Sequence, residues 1–204
     1  MIINIHKKNV ILKHERHKTM KIEKWETEKT EYLINRPWLT ARRDTVRLPN
    51  GKINPEFYIL EYPDWVNVIA ITKEGKFVMV EQYRHGLQNI YKELVAGVIE
   101  EGEEPLEAAK RELAEEAGYG KGDWELLSVI SQNPSTTTNL THCFLAKNVE
   151  VIGSQTLDDT EDIGIVLLSE DEVKEMLMSD EMKQALMAAP LWKYFYLKDR
   201  FKNK

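Results

Sequence analysis

The strongest constraint on this chain is the acidic segment 97–119, GVIEEGEEPLEAAKRELAEEAGY. Pro105 suits the first turn of a helix, where its missing N–H costs no hydrogen bond, and Gly118 suits the position just after the last turn. The segment therefore predicts a glutamate-rich loop followed by a helix from about Pro105 to about Ala117.

The predicted helix carries an apolar face and an acidic face side by side. At 100° per residue, a stripe that should pack on a core is formed by Leu106, Ala109, Leu113 and Ala117. Glu112, Glu115 and Glu116 fall together on the adjoining face, where like charges repel by roughly a few tenths of a kcal/mol per pair. Such a face needs a compensating cation, and oxygen ligands favour Mg²⁺ or Mn²⁺ over zinc. The alternative is an ordinary solvated helix face with salt bridges.

The spacing of these residues resembles the Nudix box, G-x5-E-x7-R-E-U-x-E-E-x-G-U, in which U is usually aliphatic. Gly97 and Glu103 occupy the first two fixed positions, and the segment 111–119 supplies the others, with Tyr119 as the one departure at the final U. The resemblance implies an α/β protein, a Nudix-type α/β/α sandwich with a mixed β-sheet. It also implies hydrolysis of a diphosphate linkage with a divalent metal.

Periodicity elsewhere predicts strands on both sides of this helix. Residues 21–62 alternate polar with apolar side chains around an Asn50-Gly51 turn signal, which predicts a small antiparallel sheet. Further strands are predicted at 66–72, 77–83, 93–96, 125–131, 140–146 and 163–168. Ser169 and Glu172 form a capping-box signature for a helix to about Met178, and a final helix is predicted to begin near Pro190. This order of elements predicts a mixed α/β sandwich.

Length and composition fit one domain with a small N-terminal extension. The chain has 204 residues, of which 42% are hydrophobic, enough to bury a sizeable core. We expect residues 1–20 to form a loosely packed leader and residues 21–62 an N-terminal β subdomain used for dimerisation. Residues 63–204 are then predicted to form the Nudix hydrolase domain.

Charge and cysteine content argue against several classes of protein. The net charge is −6 with both signs mixed along the chain, so no extended basic surface for nucleic acid is evident. No apolar run approaches the length of a membrane helix or a signal-peptide core. Cys143 is the single cysteine and is predicted to be a buried, inert thiol. We therefore expect a soluble cytoplasmic protein that binds neither nucleic acid nor membranes.

The resemblance extends over roughly residues 21–200 and is greatest to the ADP-ribose pyrophosphatase branch. Glu93-Leu94-Val95-Ala96-Gly97 resembles the E-x-x-A-G segment that leads into the box. Gln82-Tyr83-Arg84 resembles a segment whose arginine faces the substrate phosphates, and Pro134 stands where ADP-ribose hydrolases carry a proline. Glu93, Arg84 and Pro134 are accordingly assigned to substrate binding, although the loop 133–138 departs from the S-P-G form of the branch.

The resemblance also implies a set of metal ligands. Glu112 and Glu116 are the principal carboxylate ligands of Mg²⁺, with Mn²⁺ as the alternative ion. The carbonyl oxygen of Ala96 completes this set. Glu115 acts either as a further ligand or as a proton acceptor.

Two other charged residues are assigned to catalysis. Arg111 belongs to the catalytic centre, where its favoured role is to orient carboxylates by pairing with Glu103, Glu107 or Glu115. A general base is still required beside the attacking water. The acidic loop 157–163, LDDTEDI, resembles the loop that supplies it in this branch, which nominates Glu161 first and Asp159 second.

The aromatic residues of the N-terminal segment suggest a second subunit. Residues 21–62 hold more aromatic area than a small sheet buries alone, and such a surplus is typical of an interface. The resemblance implies a homodimer in which Trp25 and Trp38 stack on a nucleobase across that interface. The alternative is that both tryptophans pack within one subunit, with the C-terminal segment 191–196 absorbing the aromatic surface.

The favoured activity is cleavage of ADP-ribose to AMP and ribose 5-phosphate. Hydrolysis of another small-molecule nucleoside diphosphate sugar, such as GDP-mannose, is the first alternative. A sensor that binds ADP-ribose without cleaving it is ranked last, because the box is intact.

Overall fold

The computed structural model describes residues 22–202, so the predicted leader at residues 1–20 lies outside the part described. Its elements, in chain order, are β1 (Glu26–Arg36), β2 (Leu39–Arg47), β3 (Ile53–Glu61), β4 (Trp65–Thr72), β5 (Phe77–Arg84), β6 (Asn89–Val98), α1 (Pro105–Ala117), β7 (Tyr119–Gly120), β8 (Asp123–Ile130), β9 (Thr141–Val151), β10 (Ile163–Leu168), α2 (Glu170–Met178) and α3 (Ala185–Lys202).

The larger sheet is mixed and is built around strand β6. Its order is β10-β5-β6-β4-β9-β7, with β8 also paired to β9, and only β4 and β9 run parallel. The first half of β6 pairs with β5, as in Glu93 opposite Val80, and the second half pairs with β4, as in Val95 opposite Val68. Because β6 changes partner midway, the sheet curls and the end of β6 at Ala96–Val98 borders a concave surface.

Helices cover both faces of this sheet, which confirms the predicted α/β/α sandwich. Side chains of β4 alternate between the faces, so Val66 and Val68 pack with α1 while Ile69 packs with α2 and α3. On α1 the fully buried Leu113 anchors the helix to the sheet, and burial of such a side chain stabilises the fold by about 1.5–3 kcal/mol. Cys143 is buried as predicted.

Helix α1 begins and ends where its sequence predicts. Pro105 occupies the first turn, and Gly118 follows the last turn with φ 68°, in the left-handed region that favours glycine. The Gly118 N–H donates to the carbonyl of Ala114 at 2.9 Å. The apolar stripe is wider than predicted, because Ala108 and the carboxylate-bearing Glu116 are buried with it.

Of the two predicted C-terminal helices, the first agrees with the structure and the second begins at a different residue. The capping box of Ser169 and Glu172 is confirmed at the start of α2. The prediction that the last helix begins near Pro190 is wrong, because α3 begins at Ala185 and Pro190 lies inside it. A proline cannot donate to the carbonyl four residues earlier, and here Asn67 Nδ2 supplies that bond to the Leu186 carbonyl at 2.7 Å. No helix within residues 22–202 is long and apolar enough to cross a membrane.

The smaller sheet is the predicted antiparallel sheet at the N-terminus, with strand order β1-β2-β3. The predicted turn between β2 and β3 is present, with Gly51 at φ 80°. Only Asp44 and Val46 are buried among the residues of these three strands. Leu191 and Phe195 of the C-terminal helix pack in the core cluster beside α2.

One test of the fold is substitution of Gly118 by alanine. A Cβ there would lie 2.5 Å from the carbonyl oxygen of Gly153, in addition to the strain of φ 68°. Gly75→Ala is a matched control, because Gly75 has φ 77° but no neighbouring atom within 4 Å of the added Cβ. Left-handed strain alone costs about 1–2 kcal/mol. We expect Gly118→Ala to lose about 1–3 kcal/mol more than the control in urea unfolding; equal losses would contradict this packing.

Candidate active site

The acidic face of α1 lies against the backbone at the end of β6. The N–H of Ala96 donates to Glu116 Oε2 at 3.2 Å. A Cβ added to Gly97 would lie 2.1 Å from the carboxyl carbon of Glu112. Glycine at position 97 therefore leaves the space that the Glu112 carboxylate occupies, and both glutamates border Ala96 and Gly97.

Two of these carboxylates are held in surroundings that disfavour their charge. Glu116 is 5% exposed. Burial raises the pKa of its carboxyl to about 8, and the negative charges of Glu112 and Glu161 act in the same direction. Burial also raises the pKa of the Glu112 carboxyl, against the opposing effect of Arg111. Without a cation, the site therefore favours a proton on Glu116 near neutral pH.

Arg111 joins the loop that precedes α1 to the acidic face of the helix. Its guanidinium donates at 2.8–3.0 Å to the carboxylates of Glu103, Glu112 and Glu115 and to the carbonyl of Val98. These hydrogen bonds raise the pKa of Arg111 above its ordinary value, and they lower the pKa of Glu103 below its ordinary value. Among residues 22–202, Arg111 makes no hydrogen bond to Glu107, which was one of the predicted alternatives. Glu107 instead accepts a hydrogen bond from Lys110 at 2.8 Å. Arg111 is thus placed to orient carboxylates.

The donor set fits a hard divalent cation. No three acidic, histidine or cysteine side chains within residues 22–202 are already gathered as a metal-binding group. Glu112 and Glu115 instead accept hydrogen bonds from Arg111. The raised pKa of Glu116 nevertheless marks a buried carboxylate that lacks a compensating positive charge. Together with Glu112, it offers the anionic oxygens that Mg²⁺ and Mn²⁺ prefer.

The other charged candidates, Arg84 and Glu161, lie close enough to act on the same carboxyl. Both influence the pKa of Glu116, which Arg84 lowers and Glu161 raises. Arg84 donates through Nε and Nη2 to Glu93 Oε2 at 2.9 and 2.5 Å, and Glu93 is 3% exposed. The structure therefore brings Arg84, Glu93 and Glu161 to the region of the acidic face of α1.

The loop that carries Glu161 is fastened to α1 by a residue that sequence reasoning missed. Gln155 Nε2 donates to the carbonyls of Glu116, at 2.6 Å, and Ile163, at 3.0 Å. Within the loop, Glu161 Oε2 accepts from the N–H of Asp158 at 3.1 Å. Glutamine in a loop gives no sequence signal for this role, because its partner on α1, Glu116, is 39 residues away in the chain.

The N-terminal tryptophans lie on and beside the smaller sheet. Trp25 packs edge-on against Phe57 with ring centroids 5.6 Å apart, and Trp38 is 83% exposed at the turn between β1 and β2.

Pro134 is exposed in the loop between β8 and β9. This loop is tied to β3 of the same subunit, because Leu60 N–H donates to the Thr136 carbonyl at 2.7 Å and Thr138 N–H to the Leu60 carbonyl at 3.2 Å. The N-terminal sheet therefore holds the loop that carries a predicted substrate-binding residue.

Two known protein families match this chain. The NUDIX domain matches residues 61–189. The chain belongs to the Nudix family. A second family, the nucleoside diphosphate sugar hydrolase N-terminal domain, matches residues 25–60 of this Nudix protein.

Relatives of known name support the same assignment. The chain is 33% identical over 179 residues to the methanol dehydrogenase activator of Bacillus methanolicus, covering 87% of this chain and 96% of that protein. It is 33% identical over 157 residues to the ADP-ribose pyrophosphatase of Bacillus subtilis (strain 168), covering 76% and 84%. The prediction of an enzyme, a Nudix hydrolase of the ADP-ribose pyrophosphatase-like branch, is confirmed.

A solved structure supports the fold. The crystal structure of an ADP compounds hydrolase superposes with a TM-score of 0.77 at 21% identity, covering 88% of this chain and 97% of that one. The predicted Nudix α/β/α fold with a small N-terminal sheet is confirmed.

The buried Glu116 of this Nudix hydrolase predicts a distinctive dependence of stability on pH. Its folded pKa of about 8 lies above the ordinary 4.5, so the folded chain holds a proton that the unfolded chain releases between these values. Stability should therefore fall as pH rises from about 5 to about 8 when metal is chelated. We expect Glu116→Gln to flatten this decline and to raise the melting temperature at pH 8 by about 2–4 °C for each kcal/mol recovered.

The matched control is Glu107→Gln, because Glu107 lies on α1 but is exposed, with its side chain 62% accessible. Thermal unfolding in EDTA at pH 5 and pH 8 makes the comparison. A Glu116→Gln protein that melts lower than the parent at pH 8 would show that the ionised carboxylate is stabilised by contacts other than those described.

Proposed function

We propose that this Nudix hydrolase cleaves the diphosphate of ADP-ribose to AMP and ribose 5-phosphate with Mg²⁺ or Mn²⁺. The observation that carries the proposal is a pair of carboxylates, the buried Glu116 and the partly buried Glu112, packed on the backbone of Ala96 and Gly97 beside Arg84. The B. subtilis relative named as an ADP-ribose pyrophosphatase supports this choice of substrate.

The chemistry required by a diphosphate suits these residues. Its negative oxygens repel a nucleophile, and a bound divalent cation supplies charge neutralisation and acidifies a water molecule. Glu112, Glu116 and the Ala96 carbonyl would hold the ion, with Glu115 as a further ligand or proton acceptor. Glu93 occupies Nε and Nη2 of Arg84 among the bonds of the described residues, which leaves Nη1 to donate to a phosphate oxygen.

The test of this function is a panel of substrates with phosphatase-coupled phosphate release. The panel holds ADP-ribose, GDP-mannose, ADP-glucose, NADH and dinucleoside polyphosphates, and we expect the highest kcat/KM for ADP-ribose. Glu112→Gln and Glu116→Gln should each lower kcat by about 10²-fold or more, as when a major electrostatic group is lost. Near-normal turnover of both variants at saturating Mg²⁺ would contradict the assignment of α1 to the catalytic centre.

Glu161 is proposed as the general base, because its loop is tied to α1 through Gln155 and its charge acts on Glu116. Glu161→Gln should lower kcat by about 10²- to 10⁴-fold, the usual contribution of a positioned base, while Mg²⁺ affinity stays within about twofold. Asp159→Asn in the same loop is the control and should retain turnover. The reverse pattern, with loss only in the Asp159 variant, would transfer the role to Asp159.

Two other functions remain to be separated from this one. A preference for GDP-mannose or ADP-glucose in the panel would identify a hydrolase of another nucleoside diphosphate sugar. ADP-ribose binding without turnover would identify a sensor.

The name of the B. methanolicus relative favours one further candidate, in which this chain activates a methanol dehydrogenase. A dehydrogenase assay with and without this protein decides it. Activation that persists in Glu116→Gln would separate that role from hydrolysis.

We also propose that the protein is a homodimer joined through its N-terminal sheet, which places Trp25 and Trp38 at the partner's nucleotide site. Support comes from large apolar side chains that stay exposed on this sheet and its first turn: Tyr32 at 54% and Leu33 at 47% in β1, and Trp38 at 83% in the turn between β1 and β2. Exposed apolar patches of this kind mark interfaces.

A charge placed on this sheet tests the homodimer. Leu33→Lys should shift the sedimenting species to a single chain and lower turnover with it. Leu167→Lys is the matched control, because Leu167 is 45% exposed on β10, outside the N-terminal sheet. A monomeric wild-type chain that hydrolyses ADP-ribose normally would contradict the proposal of a nucleotide site shared between two subunits.

A further inference from the structure

The C-terminal end of α1 is bonded to the segment that follows β9. Three carbonyls at this end accept hydrogen bonds from that segment: Gly118 from the N–H of Ile152 at 2.8 Å, Glu115 from the N–H of Thr156 at 2.9 Å, and Glu116 from Nε2 of Gln155 at 2.6 Å. The last carbonyls of a helix have no partner within the helix, so this segment satisfies them. Two of the three belong to residues whose side chains form the acidic face.

The side chain of Gln155 connects two separate elements. Its Nε2 carries two hydrogens, and it donates to the Glu116 carbonyl on α1 and to the Ile163 carbonyl at 3.0 Å, at the start of β10. Since carbonyl oxygens only accept, these two bonds fix which end of the amide is the nitrogen. The Gln155 amide therefore joins α1 to the residue at which the loop carrying Glu161 ends.

The loop that carries Glu161 is short and is anchored at both ends. Leu157 is partly buried against the same core cluster that buries Ile163. Between these anchors lie residues 158–162, all of which are exposed. Within this stretch, the N–H of Glu161 donates to the Asp158 carbonyl at 2.9 Å, and Glu161 Oε2 accepts from the N–H of Asp158 at 3.1 Å. Because so short a chain has little reach, the positions of its anchors limit where the Glu161 carboxylate lies.

The carboxylate of Glu161 acts on the acidic face of α1. Burial is the main cause of the raised pKa values of Glu112 and Glu116, and the negative charge of Glu161 raises both of these pKa values further. The carbonyl that Gln155 binds on α1 belongs to Glu116 itself. One residue of α1 therefore presents its carboxylate to the site and its backbone to the anchor of the Glu161 loop.

We propose that Gln155 is a positioning residue, which holds Glu161 at the distance from Glu112 and Glu116 that proton transfer requires. The inference deepens the proposed function and rests on the role of Glu161 as the general base. Both amide hydrogens of Gln155 are used by carbonyls, so its effect on the reaction passes through the loop. Displacement of a catalytic group by about 1 Å can lower a rate by about 10²-fold, even when the substituted residue is remote from the chemistry.

A double-mutant cycle in kcat tests whether Gln155 acts through Glu161. Gln155→Leu keeps most of the side-chain volume and removes both donors. We expect it to lower kcat of the parent enzyme by about 10- to 100-fold, with KM and the calorimetric Kd for Mg²⁺ within about twofold. In the Glu161→Gln background, the same substitution should change kcat by less than about twofold, because the group that Gln155 positions is already inactive. Turnover is measured on the panel substrate that the parent cleaves fastest.

Ser154→Ala is the matched control, because Ser154 is exposed and precedes Gln155 in the chain. It should leave kcat unchanged in both backgrounds. Melting temperatures show whether each variant folds. If Gln155→Leu does not fold, Gln155→Ala replaces it, since the smaller side chain leaves room for water to bond the two carbonyls. Such a water is not attached to the chain, so kcat should still fall.

The proposal is overturned if the Gln155 variant keeps the parent kcat. It is also overturned if kcat falls by the same factor in both backgrounds, which would indicate an effect on the metal ligands or on the whole fold. In either case Glu161→Gln alone still lowers kcat, so the proposed function stands. A Glu161→Gln enzyme with the kcat of the parent would instead refute the general base, and the role of Gln155 with it.

Discussion

The guanidinium of Arg111 allows the acidic helix α1 to pack against the end of strand β6. Its donors reach three glutamates and the Val98 carbonyl, so one cation fixes the loop before α1, the helix itself and the end of β6 together. Without it, Glu112 and Glu115 would repel each other, and the Glu103 carboxylate would lose its hydrogen bonds to α1. The geometry at Ala96 and Gly97 depends on this cluster, because α1 places its carboxylates there.

The cluster leaves the carboxylate of Glu116 without a compensating positive charge. Glu116 is buried with the apolar side of α1, and among residues 22–202 its carboxylate accepts one hydrogen bond, from the N–H of Ala96, so its charged form is disfavoured. A fully paired carboxylate would stabilise the fold better but would have less to gain from a cation. Polar groups that break the usual rules of burial tend to lie at functional sites.

The N-terminal sheet holds the loop that carries Pro134 through backbone hydrogen bonds. Leu60 in β3 pairs with Thr136 and Thr138, so the loop carrying Pro134 is an extension of that sheet. Charged side chains crowd the sheet, where Arg42 pairs with Asp44 at 3.2 Å. A proposed dimer through this sheet would therefore also act on the position of the loop.

Local patterns in the sequence determined most of the elements, and the tertiary structure determined which polar groups share a site. The bounds of α1, the capping box of α2 and the turn at Gly51 follow from capping and turn preferences over a few neighbouring residues. The start of α3 could not be predicted in this way. A proline normally ends a helix, and here it is tolerated because Asn67, far away in sequence, bonds the carbonyl that proline leaves free.

The same distinction holds for the site. The spacing of Glu112, Glu115 and Glu116 was readable from the sequence, because helix periodicity alone puts them on one face. Their unequal burial was not, since it depends on how α1 packs against β6, and the same holds for the link from Gln155 to Glu116. Periodicity acts between neighbours along the chain, whereas desolvation and long-range hydrogen bonds arise only when distant segments meet, so they are decided by the fold.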